Sequence, residues 1–282
     1  MVQARRMWTL FEPLHAVTYF APEAKEHFER VGLRGFWRGY FAGRAAPLGA
    51  VEPAPVIASF FNFAPQMVQR ALPAVWSLAD PGQALKARQE GAIAALKRLL
   101  DGHDEARIAE ASELLGEAAS HADVGGRVLA AANASLPVPD EPLARLWHAT
   151  TVLREHRGDG HVATLVSWEL DGCSVLVWRS SLDLSRDILQ PGRGWGDEEW
   201  TEATQRLMAR GWLDVDGRAT AEAAEAHREV EATTDRVSMR PWEGLGPQKT
   251  DRLVELLGPL AQSAFDDIPD WNPIGLPPPI LG

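Results

Sequence analysis

The sequence predicts a mainly α-helical protein, with a helical N-terminal region and a C-terminal region whose helices flank a short two-stranded hairpin. Three observations lead there. Apolar residues recur at three- and four-residue spacing, as in Leu85, Ile93, Leu96, Leu99 and Leu100. Cap residues and prolines stand where helices begin, most clearly at Asp80-Pro81. The passage from Gly211 to Thr220 carries turn residues between two short apolar runs.

At 282 residues the chain can bury a large core as one big domain or two ordinary ones. The formal net charge of −11 argues against a protein built to hold nucleic acid non-specifically, or an anionic membrane, because such affinity comes from neutralised phosphates. A single cysteine, Cys173, cannot form an intrachain disulfide, so a cytoplasmic location is expected. No signal-peptide pattern opens the chain, and no stretch approaches the roughly twenty apolar residues of a membrane helix. Eleven tryptophans against two tyrosines are unusual, and tryptophan suits both a core and the gripping of flat ligands.

In chain order, Pro13 and Pro22 open helices over Leu14–Phe20 and Glu23–Val31. The glycine-rich run 32–44 places Arg34, Arg38 and Arg44 roughly on one helical face. Pro65 separates two apolar helices, with Asn62 a turn or pocket residue between them. Helices follow from Pro81 to Leu100, from Asp104 to Ala122 and from Val124 to Ser135. Three prolines in 136–142 make a stiff linker, so 1–136 is expected as one domain and 141–240 as a second. Leu143–His156 is a helix that Gly158 and Gly160 break or kink, and His161–Leu170 resumes it. Cys173–Trp178 is β-prone but short, so its state is open. Asp197–Arg210 is a helix with an acidic first turn. A hairpin at Asp216-Gly217 then leads to Thr220, which caps a helix over 221–236. Residues 247–282 supply a last helix and a proline-rich tail lying on the body.

The passage 207–223, a helix ending at Arg210-Gly211, Trp212-Leu213, Asp216-Gly217 and then Thr220, resembles the end of MarR- and PadR-like winged-helix regulators. Other phrases span nearly the whole chain: Phe11-Glu12-Pro13-Leu14-His15, Arg44-Ala45-Ala46-Pro47-Leu48-Gly49, Leu153 to His161, Arg193-Gly194-Trp195 and Asn272-Pro273-Ile274-Gly275. Together they are similar to an actinobacterial family carrying a helix-turn-helix label. The resemblance implies a winged-helix-like region over 141–240 with a two-stranded wing, and no particular reaction.

In a DNA reader of this type the helix before the wing meets base edges. Here it carries Asp197, Glu198, Glu199 and Glu202 against Arg206 and Arg210, so its leading turn would repel phosphate. DNA is therefore a disfavoured partner. The leading expectation is a small aromatic or flat molecule held between the two halves, for regulation or sequestration. Its liners would be Phe36, Trp37, Tyr40, Phe60, Phe61, Phe63, Trp147 and Arg154, and the protein is open to homodimerisation. The rival is an enzyme built on Arg154–His161, with His156, Asp159 and His161 as catalytic groups or ligands of a metal. Against both stands a brace, in which Arg154, Glu155, Arg157 and Asp159 lock a Gly-Asp-Gly turn with salt bridges.

Overall fold

The computed structural model of the chain describes residues 3–270, 272 and 274–281. Its helices begin with α1 (Gln3–Phe20), α2 (Pro22–Arg30), α3 (Phe36–Ala45), α4 (Pro53–Phe60) and α5 (Pro65–Ala71). Then come α6 (Pro81–Leu99), α7 (Glu105–Ser120), α8 (Val128–Ala134), α9 (Pro142–Ser167) and α10 (Gly172–Ser180). The series closes with α11 (Arg186–Arg193), α12 (Asp197–Ala209), α13 (Ala221–Val237), α14 (Arg240–Leu245) and α15 (Pro247–Phe265).

Local chemistry accounts for many of these starts. Asp80 accepts the Gln83 N–H at 2.8 Å while Gln83 Oε1 accepts the Asp80 N–H at 2.9 Å, a reciprocal cap on α6. Glu141 caps α9 through the Ala144 N–H, and Asp171 caps α10 through the Ser174 N–H. That cap decides the ambiguous stretch after Cys173 in favour of a helix. Pro13 lies inside α1 instead of opening it, at the loss of one ladder hydrogen bond.

The expected two-stranded wing is not present: among the described residues the loop between α12 and α13 has one isolated antiparallel bridge, Leu213 with Ala219, and no strand. Asp214 is the physical reason. Its carboxylate accepts the N–H groups of Asp216 and Arg218, both at 2.9 Å, and turns the chain back within four residues. Too few residues remain on either side to build a ladder. The fold is all-α, so the winged-helix description with a short wing is corrected on this point.

Gly158 and Gly160 do not interrupt α9, which runs unbroken past both. Gly160 answers a close approach: a Cβ there would lie 2.4 Å from Arg127 Nη1 and 3.0 Å from Val237 Cγ2. Three buried clusters surround this helix. One joins α1, α6, α7, α9, α14 and α15; another gathers α3, α4 and α5 around Phe41 and Phe63; the third spans Leu165 to Val230 around Trp178 and Trp212. Helices α10, α11 and α12 form a compact three-helix unit in the third cluster, with α10 against α12. No helix among the described residues is long and apolar enough to cross a membrane.

Candidate functional site

Because α9 is continuous, Arg154, Arg157, Gly158 and His161 fall at i, i+3, i+4 and i+7 and share one face. Arg5, Trp8 and Glu12 do the same on α1. These two stripes face each other across a cavity of about 420 Å³, within the range of small-molecule sites. Val175, Leu176 and Arg179 of α10, Leu189 and Arg193 of α11, and His227, Glu231 and Thr234 of α13 complete much of the wall. Ile274, Gly275 and Pro277 of the C-terminal coil also line it. That coil is tied to α1, where Arg6 Nη2 donates to the Leu281 carbonyl at 2.9 Å and the Ile280 N–H donates to Thr9 Oγ1 at 3.1 Å.

The wall is electrically structured. Five arginines and two histidines face the cavity, against the carboxylates of Glu12, Asp183 and Glu231. Arg154 donates to Glu155 at 2.9 Å and lies 3.5 Å from Glu12. Arg157 Nη1 is 2.8 Å from Asp235 Oδ1, close enough for an ion pair but without the alignment of a hydrogen bond. Arg5 holds both Asp235 and Glu231. Burial lowers the His161 pKa to about 4; Glu231 opposes, and Arg157 and Arg179 add to the fall. Burial also pushes the Glu12 carboxyl up, against the pull of Arg154. Burial lowers Arg193, with Arg44, Arg154 and Arg179 adding to the push and Tyr40 resisting.

The residues expected to act together, His156, Asp159 and His161, turn to three different partners. His156 Nε2 meets Asp123 Oδ1 at 3.0 Å. Asp159 Oδ2 accepts the N–H groups of Leu129 and Ala130, at 2.8 and 2.9 Å, at the start of α8. His161 Nδ1 meets Thr234 Oγ1 of α13 at 2.9 Å, and only this one of the three lines the cavity. Helix geometry sets this outcome, since 100° per residue places His161 roughly 140° from His156 around the axis. Among the described residues no group of three His, Cys, Asp or Glu is placed to hold a metal ion.

Most of the expected aromatic liners do meet, but they fill space. Phe36 and Trp37 lie 4.8 Å apart, Tyr40 and Phe63 5.4 Å, and Phe41 stacks on Phe60 at 6.0 Å. The voids beside them measure about 30 and 10 Å³, room for a water or two. Phe61 ends α4 at a φ of 53° and packs on the third cluster. Trp147 stacks on His15 at 5.8 Å in the first cluster. Of the eight, Arg154 alone borders the large cavity.

Sequence reasoning passed over Arg5, Trp8, Glu12, Arg179 and Arg193 as site residues. For Arg5, Trp8 and Glu12 the signal is the seven-residue stripe on α1, which matches a stripe on α9 only when that helix continues through Gly158 and Gly160; Arg179 and Arg193, on α10 and α11, belong to neither stripe. Asn62 lines the cavity, one of its two expected roles, and its backbone carbonyl accepts Trp195 Nε1 at 2.8 Å; it does not cap α5, whose N-cap is Ala64, without a side-chain cap.

Residues 4–269 match a family model described as a helix-turn-helix family. No curated protein and no solved structure matches the chain.

Proposed function

The chain belongs to this helix-turn-helix family, and on that premise we propose that it is a regulatory protein that binds a small molecule in the cavity between α1, α9 and the α10–α13 segment. The α10–α12 unit is the best placed for the helix-turn-helix, and it supplies a wall of the cavity. The carrying observation is the cavity itself: about 420 Å³, lined by apolar side chains such as Val175, Leu176 and Leu189 together with charged ones such as Arg154, Arg179 and Glu231. Occupancy would couple α1 and α9 of the body to α10, α11 and α13, so a ligand could bias their relative placement. Native mass spectrometry and thermal-shift screening of the purified chain test this. Ligands that raise Tm should lose their effect in Leu176→Trp, which fills the space. A folded Leu176→Trp that responds as the parent does would place binding elsewhere.

Family membership by itself favours a second reading, a DNA-binding transcriptional regulator. The charge on α12 weighs against it. Asp197, Glu198 and Glu202 are exposed there beside Arg206, whose Nη2 lies 3.1 Å from Asp171 Oδ2. Arg186 is likewise 2.8 Å from Asp197. Phosphates would have to displace these pairs. Binding to DNA upstream of its own gene that weakens steeply with salt, and is lost in Arg206→Ala, would establish the regulator reading. Salt-independent or undetectable binding would remove it.

A further inference from the structure

We propose that the cavity takes an uncharged molecule with an apolar body and a hydroxyl group, and that His161 Nε2 accepts the hydrogen bond of that hydroxyl. This rests on reading the cavity as a small-molecule site, and it names the ligand class and its polar anchor.

The hydrogen bonds around His161 fix which ring nitrogen carries the proton. Thr234 Oγ1 lies 2.9 Å from the Val230 carbonyl and 2.9 Å from His161 Nδ1. A carbonyl can only accept, so the one hydroxyl proton of Thr234 goes to Val230, and the hydroxyl oxygen accepts from His161. Nδ1 therefore carries the ring proton. Glu231 Oε1, 4.0 Å from that nitrogen, favours the same placement. Burial keeps the ring neutral, with its pKa lowered to about 4 against the pull of Glu231. Nε2 is then a lone-pair acceptor. It meets no donor among the described residues, while the side chain keeps 31% of its surface open and lines the cavity.

The same arrangement recurs at His15, with its second half supplied by the chain itself. Thr151 Oγ1 donates to the Trp147 carbonyl at 3.0 Å and lies 3.1 Å from His15 Nδ1. His15 Nε2 in turn meets the Tyr19 hydroxyl at 3.1 Å. A hydroxyl on a ligand would do for His161 what the Tyr19 phenol does for His15.

The charges of the wall favour a neutral ligand, because they are matched already. Arg154 is held by Glu155 and Glu12, Arg157 by Asp235, Arg5 by Asp235 and Glu231, and Arg179 by Asp183. Arg193 lies 4.8 Å above the Phe63 ring. A charged ligand would have to draw one of these groups away from its partner. Val175, Leu176 and Leu189 give apolar surface for the body of a neutral one.

The test uses the full chain at pH 7 and two measurements. Long-range proton–nitrogen NMR of the ligand-free protein should show the His161 ring protonated at Nδ1. Calorimetry compares 2-naphthol with its methyl ether, which keeps the oxygen but has no donor, and with 2-naphthoate, which is charged. Naphthol should bind about five- to tenfold tighter than the ether, the worth of one hydrogen bond, with naphthoate weaker than naphthol. His161→Phe should erase the difference while leaving ether binding unchanged, and His161→Gln, whose amide oxygen can accept, should restore it. Thr234→Val releases the ring to carry its proton on Nε2 and should also reduce the preference, so failure of one variant to fold leaves the other. A ring proton found on Nε2, or equal binding of naphthol and ether, overturns the inference but leaves a small-molecule site. Tightest binding by naphthoate overturns the neutral class. A preference for naphthol that survives both His161→Phe and Thr234→Val overturns the assignment of His161. If no probe binds, the ligand class is overturned, and the cavity reading falls with it when screening also finds no ligand effect sensitive to Leu176→Trp.

Discussion

Glu155 and Arg44 form a two-pronged ion pair that ties α9 to α3, with Nε to Oε1 and Nη2 to Oε2 both at 3.0 Å. Glu155 Oε2 also accepts Arg154 Nη1 at 2.9 Å, so one buried carboxylate serves two guanidiniums. Burial alone would raise its pKa, but Arg154 and Arg44 outweigh burial and hold it well below the carboxylate range.

Replacing that carboxylate by its amide takes from Arg44 its ion-pair partner and leaves Arg154 with Glu12 alone, 3.5 Å away. Glu155→Gln should cost about 3–5 kcal/mol, the scale for breaking a buried pair from one side. Denaturant melts of the variant and parent measure it. A loss below about 1 kcal/mol would show that the pair is not what joins α9 to α3.

Two glycines in one helix should respond in opposite senses. In Gly160→Ala the new Cβ meets Arg127 Nη1, which donates to the His156 carbonyl at 2.6 Å. The arginine must move, and a loss of about 1–3 kcal/mol is expected. At Gly158 the nearest side-chain atom would be 3.8 Å away, so Gly158→Ala should stabilise the helix by about 0.5–1 kcal/mol. Thermal melts of the two variants side by side check the contrast.

Acid should destabilise the protein through its histidines. His161 and His148 are both lowered to about 4 by burial, from 6.5. A depressed histidine folds neutral, so its contribution is full above pH 6.5 and is lost as pH falls toward 4. Each such group supplies a slope of up to about 1.4 kcal/mol per pH unit in that window. His148→Gln should flatten the curve of stability against pH between 6.5 and 4, and a curve of unchanged steepness would contradict this.

Asp159 works in the other direction. Burial raises its pKa to about 6, with the N–H groups of Ala130 and Leu129 opposing. A raised acid contributes stability that is complete below its unfolded value near 3.8 and is lost as pH climbs through 6. An asparagine oxygen can still accept both N–H groups, so Asp159→Asn should hold its stability at pH 8. Because the opposing slope is gone, its loss between pH 6 and 4 should be steeper than the parent's. Urea unfolding at three or four pH values measures both features.

Much of the helical framework was legible because helices announce themselves locally. Asp80, Thr220 and the prolines at 65, 81 and 247 mark starts through chemistry that acts within a turn of chain. The acidic leading turn of α12 was equally plain. The wing failed because turn residues fix a reversal but not a ladder, and the Asp214 side chain closes the reversal before strands can form.

The sequence by itself determined a mainly helical chain, most helix starts, a crowded run of charges at 154–161 and an acidic α12, since composition, capping and periodicity are short-range properties, whereas the absence of the expected wing was decided by the tertiary structure. Only the tertiary structure decided what the charges do. Gly158 and Gly160 carry the same local signal as helix breakers, yet Gly160 is small because Arg127 passes over it from 33 residues upstream. With α9 therefore continuous, His156 and Asp159 turn toward Asp123 and α8, while Arg154, Arg157 and His161 turn toward α1 and α13. Which side of a helix faces a cavity depends on what packs against the other side, and those neighbours lie far away in the chain.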